Sequence, residues 1–211
     1  MTRLDRRTLL TGAGASLALA CCGRSRAGGA PPPPAAHGRA GRLIAAARAQ
    51  IGVTVRYDAA YTVLRYPGGD VPRERGTCTD VVIRAYRDAF GLDLQALVHA
   101  DMAKAFAAYP HAWGLAHADA NIDHRRVPNL RTWFARHQAA LPVPVGAGAG
   151  GWQPGDIFTS LIGGHGTHIG LVSDRIGRRG PLIIHNIGAG TREEDALFDW
   201  PLTGRYRWAL T

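Results

Sequence analysis

The chain has 211 residues, 46% of them apolar, enough for one domain of ordinary size with its own core. Its formal net charge is +9, from 25 basic against 16 acidic residues, and Lys104 is the one lysine among the basic set. The basic balance suits anionic surroundings such as cell-wall polymers or phospholipid head groups. The lack of an aromatic-interleaved basic stripe or a zinc-finger spacing argues against nucleic acid as a partner.

Residues 1–20 read as an export signal. Arg6-Arg7-Thr8-Leu9-Leu10 leads into an apolar run from Leu9 to Ala20, and a charged start, short apolar middle and small-residue end mark a removable leader. The paired arginines point to the twin-arginine type, and the run is too short to span a bilayer as a permanent helix. Ala18-Leu19-Ala20 supplies a small-x-small cleavage site. The expected location is therefore the periplasm or cell envelope. The competing reading is a lipoprotein, with a lipid anchor at Cys21 or Cys22 as the only membrane contact. Residues 21–38, with a run of four prolines, read as a disordered linker, which leaves 39–211 as the folded domain.

Within that domain, helical spacing runs from Arg39 to Gln50 and stops at Gly52. Val53 to Leu64 is mixed, and Tyr66-Pro67-Gly68-Gly69-Asp70 is a turn. A central helix is expected over Cys78–Phe90, ended by Gly91, and a second over Asp93–Tyr109, closed by Pro110. His111 to Asn129 is irregular and polar, Leu130 to Ala140 helical, and Leu141 to Gly151 a loop rich in glycine, alanine and proline. The pattern then changes to strands over Ile157–Leu161, Thr167–Ser173, Leu182–Asn186 and Arg205–Leu210. Helices first and an antiparallel meander second predict an α+β domain.

The chemistry centres on Cys78, the one cysteine of the expected folded region. An unpaired thiol in an exported protein marks a reactive candidate, and a helix amino terminus favours thiolate over thiol. Two downstream strands each carry a histidine. His168 is expected to take the thiol proton and His185 to orient that imidazole. His165 rivals His168 from a glycine-rich turn, and Asn186 rivals His185 from the opposite face of its strand. Asp80, two residues into the helix, complements the helix dipole or holds a substrate amine. Asp123-His124-Arg125-Arg126 is a solvated charge run or, through its paired arginines, a carboxylate clamp.

These residues resemble a known family. Tyr66-Pro67-Gly68-Gly69, Pro154-Gly155-Asp156-Ile157 and His168-Ile169-Gly170-Leu171-Val172 are similar to segments of the NlpC-type cell-wall cysteine peptidases, a branch of the papain-like superfamily. Three stretches resemble the bacterial domain-of-unknown-function 1287 family more closely. They are Cys78 to Tyr86, Asn121 to Asn129 and His185-Asn186-Ile187-Gly188. The likeness covers roughly residues 40 to 210. It departs from the better-known peptidases in having Thr77-Cys78-Thr79-Asp80 at the nucleophile and a longer gap to the histidine. The resemblance implies a papain-like fold with the nucleophile at a helix amino terminus, and a Tyr66 hydroxyl near the thiol. It also implies amide hydrolysis in cell-wall peptide through a thioester. No cofactor is implied. Two other classes compete. One is a histidine-rich metal enzyme using His165, His168, His185 and Asp156. The other is an envelope-binding module without turnover.

Overall fold

The structure, a computed structural model, describes residues 37–144 and 151–210. The expected export leader, Cys21, Cys22 and the linker up to residue 36 lie outside the described residues. In chain order the elements are α1 (Gly38–Arg48), β1 (Arg56–Tyr57), β2 (Arg75–Gly76), α2 (Cys78–Phe90), α3 (Leu94–Lys104) and α4 (Val127–Arg136). They continue as β3 (Ala140–Leu141), β4 (Ile157–Ile162), β5 (Gly166–Ile176), β6 (Pro181–Asn186), β7 (Thr191–Glu194) and β8 (Leu202–Tyr206). Short 3-10 turns cover Phe106–Ala108 and Asp123–Arg125. The chain is thus α+β. Among the described residues no helix is long and apolar enough to cross a membrane.

The main sheet is antiparallel, in the order β3-β8-β4-β5-β6-β7, while β1 and β2 pair in parallel apart from it. Side-chain alternation gives its two faces different partners. Ile157, Ile169, Leu171, Ile184 and Tyr206 join the core made with Leu43 and Ile44 of α1, Val81, Val82 and Tyr86 of α2, and Trp133 and Phe134 of α4. Phe158, Val172 and Ile183 face the other way, against Trp152, Leu197, Phe198 and Trp200. Each face buries its own apolar set, so a one-residue slip of β5 turns Ile169 and Leu171 away from the helices and His168 toward them.

α2 is the spine of the domain. Thr77 and Asp80 form a capping box at its start, and Gly91 ends it in the left-handed region at φ 69°. Every residue from Cys78 to Tyr86 is buried, including Arg84. A buried guanidinium needs its donors satisfied. Arg84 bonds both oxygens of Asp70 at 2.9–3.2 Å, the Thr54 hydroxyl at 3.0 Å and the Val71 and Arg75 carbonyls. The 54–76 segment is thereby bound to the helix that carries the thiol.

Several boundaries differ from expectation. Gly38, expected to end the linker, opens α1. The second helix stops at Lys104 because Ala105 leaves helical geometry (φ −136°, ψ 42°) before the 3-10 turn. α4 starts earlier, at Val127, because Pro128 falls in the first turn, where its missing N–H costs nothing. It also ends earlier, at Arg136. β7 has no apolar alternation to announce it, being Thr-Arg-Glu-Glu at a sheet edge. The last strand is Leu202–Tyr206 instead of Arg205–Leu210. Trp208 leaves the ladder to pack on Trp133 and Tyr86, and its carbonyl accepts the Tyr86 hydroxyl at 2.9 Å.

Candidate active site

Cys78 is the first residue of α2. Three contacts fix it there. The Thr77 amide donates to Asp80 Oδ2 at 2.7 Å; Arg125 holds the same carboxylate through Nε (3.1 Å) and Nη2 (2.9 Å); and Asn186 Nδ2 donates to the Gly76 carbonyl at 2.9 Å. Asp80 is therefore a cap and a buried ion-pair partner, with both oxygens committed. Asn186 positions the segment before the thiol instead of orienting an imidazole.

The thiol is free and buried. The Ile169 and Thr79 amides and the Tyr57 hydroxyl act on the sulfur as donors that favour thiolate. Burial pushes its pKa up to about 11, and the nearby Asp80 charge acts in the same direction. The expectation of a thiolate at a helix start is thus corrected. Loss of hydration outweighs the helix dipole and the three donors, and the resting group is a neutral thiol. The contact expected from Tyr66 is also corrected. Tyr66 is exposed and its ring meets His99 edge-on at 5.1 Å, while Tyr57 of β1 supplies the hydroxyl.

His168 of β5 and His185 of β6 come together, Nε2 to Nδ1, at 2.8 Å. Both rings are buried, and the Phe158 and Trp200 rings flank His168. Burial lowers the His168 pKa to about 3 and lowers that of His185, so both rest neutral. They project from the sheet face opposite Ile169 and Ile184. Cys78 belongs to the core on the other face, with Ile169 and Ile184. The β5–β6 ladder pairs Leu171 with Ile184 and Val172 with Ile183, and Ile169 is not paired across to β6. The Ile169 amide is spent on the sulfur, and its nitrogen is bonded to the carbonyl carbon of His168. The sulfur therefore lies one peptide unit from the His168 backbone. Among the described residues neither imidazole hydrogen-bonds the sulfur, a common state of such pairs without substrate.

The other candidates separate clearly. His165 is exposed in the turn at Gly163-Gly164 and stands apart from the pair. Asp123 is buried, bonds His99 Nδ1 at 3.0 Å and has its pKa raised by burial. His124 is buried and neutral, its pKa pushed down to about 4 by burial. Arg125 is committed to Asp80 and to the Asp58 and Ala60 carbonyls. Arg125 is thus not free to share a carboxylate with Arg126, as a paired-arginine clamp would require. Arg126 stacks over the Trp113 ring at 4.2 Å, and among the described residues no carboxylate bonds its guanidinium. A cleft of about 220 Å³ opens between Tyr57, Cys78, Trp113, Arg125, Arg126 and Thr167.

Tyr57, Trp113 and Glu194 (at β7) were not evident as site residues in the sequence. Tyr57 sits in an unpatterned stretch, and nothing local brings Trp113 to the thiol. The metal reading loses Asp156, which is buried and bonded by both Arg205 and Arg207.

Residues 44–208 match the model of a family described as a domain of unknown function, DUF1287. A protein of Escherichia coli K12 described as "Uncharacterized protein YijF" is 56% identical over 163 residues, covering 77% of this chain and 78% of its own length. No solved structure matches the chain.

Proposed function

The chain belongs to the DUF1287 family, and we propose that it is an exported papain-like thiol hydrolase that cleaves an amide bond in cell-wall peptide. The observation that carries this reading is a helix-start thiol engaged by the Ile169 amide, with the preceding residue in the chain, His168, paired to His185. His168 Nε2 is engaged with His185, so Nδ1 is its remaining nitrogen, on the side of the ring nearer its own strand backbone. In the proposed reaction Cys78 Sγ attacks the carbonyl carbon while His168 Nδ1 takes the thiol proton. The C–N bond breaks as the imidazolium returns that proton to the leaving amine, which leaves a thioester. Water, deprotonated by the same imidazole, then releases the acid and restores the thiol. A neutral thiol beside a neutral base favours proton transfer during attack over a standing ion pair. The Cys78 amide is the oxyanion donor in this reading, since the Thr77 amide is held by Asp80 and the Thr79 amide acts on the sulfur.

A cell-wall peptide is favoured by Arg126. It is a cation in the thiol cleft that no carboxylate bonds directly among the described residues, with Asp119 and Asp123 acting on it at longer range, and such peptides carry free carboxylates. Burial of the thiol favours a second reading, an envelope-binding module without turnover.

Digestion decides between them. Purified peptidoglycan and soluble muropeptides are incubated with the wild type, Cys78→Ala and His168→Ala, with and without a chelator, and products are read by mass spectrometry. New fragments from the wild type alone, unaffected by chelator, are expected. Fragments that persist with Cys78→Ala overturn the thiol mechanism, and muropeptide binding with no fragments favours the second reading.

A further inference from the structure

Glu194 of β7 extends the line of groups behind the thiol. Its Oε2 lies 3.5 Å from Nε2 of His185. That nitrogen is buried and otherwise has no hydrogen-bond partner among the described residues. The other nitrogen of the same ring meets His168 Nε2 at 2.8 Å. The two imidazoles and one carboxylate therefore stand in a row, and only certain placements of two ring protons satisfy them.

A neutral imidazole carries one N–H and one lone pair. In one arrangement His185 holds its hydrogen on Nε2, facing the carboxylate. Its Nδ1 then accepts from Nε2–H of His168, and the His168 lone pair is on Nδ1. In the other arrangement His185 donates from Nδ1, its Nε2 lone pair faces a carboxylate oxygen, and the His168 hydrogen sits on Nδ1. The second arrangement sets two acceptors against each other in a buried place and leaves His168 unable to take a proton there. The carboxylate selects the first.

We propose that Glu194 is a positioning residue that, through His185, holds His168 as the Nε2–H tautomer with its Nδ1 lone pair free. The charged groups around the row are few. Arg192 Nη1 lies 3.5 Å from Glu194 Oε1, and Asp199 and Arg192 act on His185 with opposite signs. On the face of the sheet that carries the pair, Phe158 and Trp200 are apolar neighbours of His168. The Glu194 side chain is 36% exposed, which gives it freedom to close the remaining gap. The catalytic consequence rests on the thiol-hydrolase reading; the tautomer does not.

The test reads the tautomer directly. Histidine-labelled wild type, Glu194→Ala and Glu194→Gln are compared at neutral pH by long-range proton–nitrogen NMR, which distinguishes a protonated ring nitrogen from a bare one. In the wild type His168 is expected with Nε2 protonated and Nδ1 bare. Glu194→Gln keeps this state, because its side-chain oxygen accepts the same hydrogen, and Glu194→Ala gives a mixture. A role in folding alone lowers stability without changing the tautomer. A wild-type His168 protonated on Nδ1 overturns the proposal, and so does an unchanged tautomer in Glu194→Ala. Should the alanine variant not fold, the wild-type spectrum decides. With a cleaved substrate, Glu194→Ala is expected to lower kcat roughly ten- to a hundred-fold at unchanged KM. Absence of turnover in every form, with the expected spectra, rejects the hydrolase reading and keeps the tautomer assignment.

Discussion

The Tyr57 hydroxyl faces the sulfur of Cys78 and acts on it as a donor, relating the short strand β1 to the first residue of α2. The two residues also line the same cleft. The donor favours thiolate, burial favours thiol, and burial prevails.

Alkylation of the thiol tests this balance. Iodoacetamide is expected to react slowly at neutral pH, with the rate rising as pH approaches about 11. Tyr57→Phe keeps the ring and removes the donor. A hydrogen bond to a charged group contributes about 1.5–3 kcal/mol, and one pKa unit is about 1.4 kcal/mol. The Tyr57→Phe profile should therefore move upward by about one to two units, with reaction at a given pH below the midpoint about ten- to a hundred-fold slower. A profile centred near the ordinary thiol value in the wild type overturns the balance described.

Arg126 should recognise a substrate carboxylate. It stacks on Trp113 in the cleft, and no carboxylate bonds its guanidinium among the described residues. Arg126→Ala is expected to raise KM for a muropeptide with free carboxylates by about ten- to a hundred-fold, with little change in kcat. Amidation of the recognised carboxylate should weaken the wild type to a similar degree and leave the variant indifferent. Equal responses to amidation in both proteins would remove the assignment.

The Asp80–Arg125 pair should carry stability instead of specificity. Its side chains are 4% and 2% exposed, so neither charge can be rehydrated when the other is lost. Arg125→Ala is expected to cost about 3–5 kcal/mol in urea unfolding. The joint change Asp80→Leu with Arg125→Met should recover a large part of that loss, since it removes both charges together. A loss below about 1 kcal/mol in the single variant would show that the pair is solvated.

Stability should decline on mild acidification because of buried neutral histidines. Burial lowers His124 to about 4 and His168 to about 3, from an ordinary value of 6.5. Between those values and 6.5 the unfolded chain binds the extra protons. Stability therefore rises with pH across that window and falls as pH drops through it, by up to about 1.4 kcal/mol per pH unit for each group. Asp101, held down to about 2 by Arg136, is lost in the same direction at the acid end. Urea midpoints measured from pH 7 to pH 4 check the sign, and His124→Gln should flatten the slope. A midpoint that is constant over this range would contradict the burial of these rings.

Much of the fold was legible in the sequence where one local signal sufficed. The central helix begins at Cys78 and ends at Phe90, as expected, because a capping residue and a terminal glycine bracket an apolar stripe. The strands at Ile157, Thr167 and Leu182 were visible by β-branched runs between glycine turns. β7 was not visible, since an edge strand needs no apolar face. In the site, the pairing of His168 with His185 was anticipated, whereas Tyr57, Trp113 and Glu194 were not. Each of these three reaches the site through a chain reversal that leaves no periodic trace.

By itself the sequence determined an α+β chain with the one cysteine of residues 39–211 at a helix start and a histidine on each of two later strands, because caps, periodicity and turns are local properties. Tertiary structure alone decided the state and use of those groups. It buried the thiol, so that lost hydration overrode the helix dipole. It gave Arg125 to Asp80 and left Arg126 facing the cleft. It set Glu194 behind His185, across a strand pair whose register depends on which face of the sheet is buried. Desolvation and charge pairing depend on neighbours distant in sequence, and those exist only once the sheet has closed on α2.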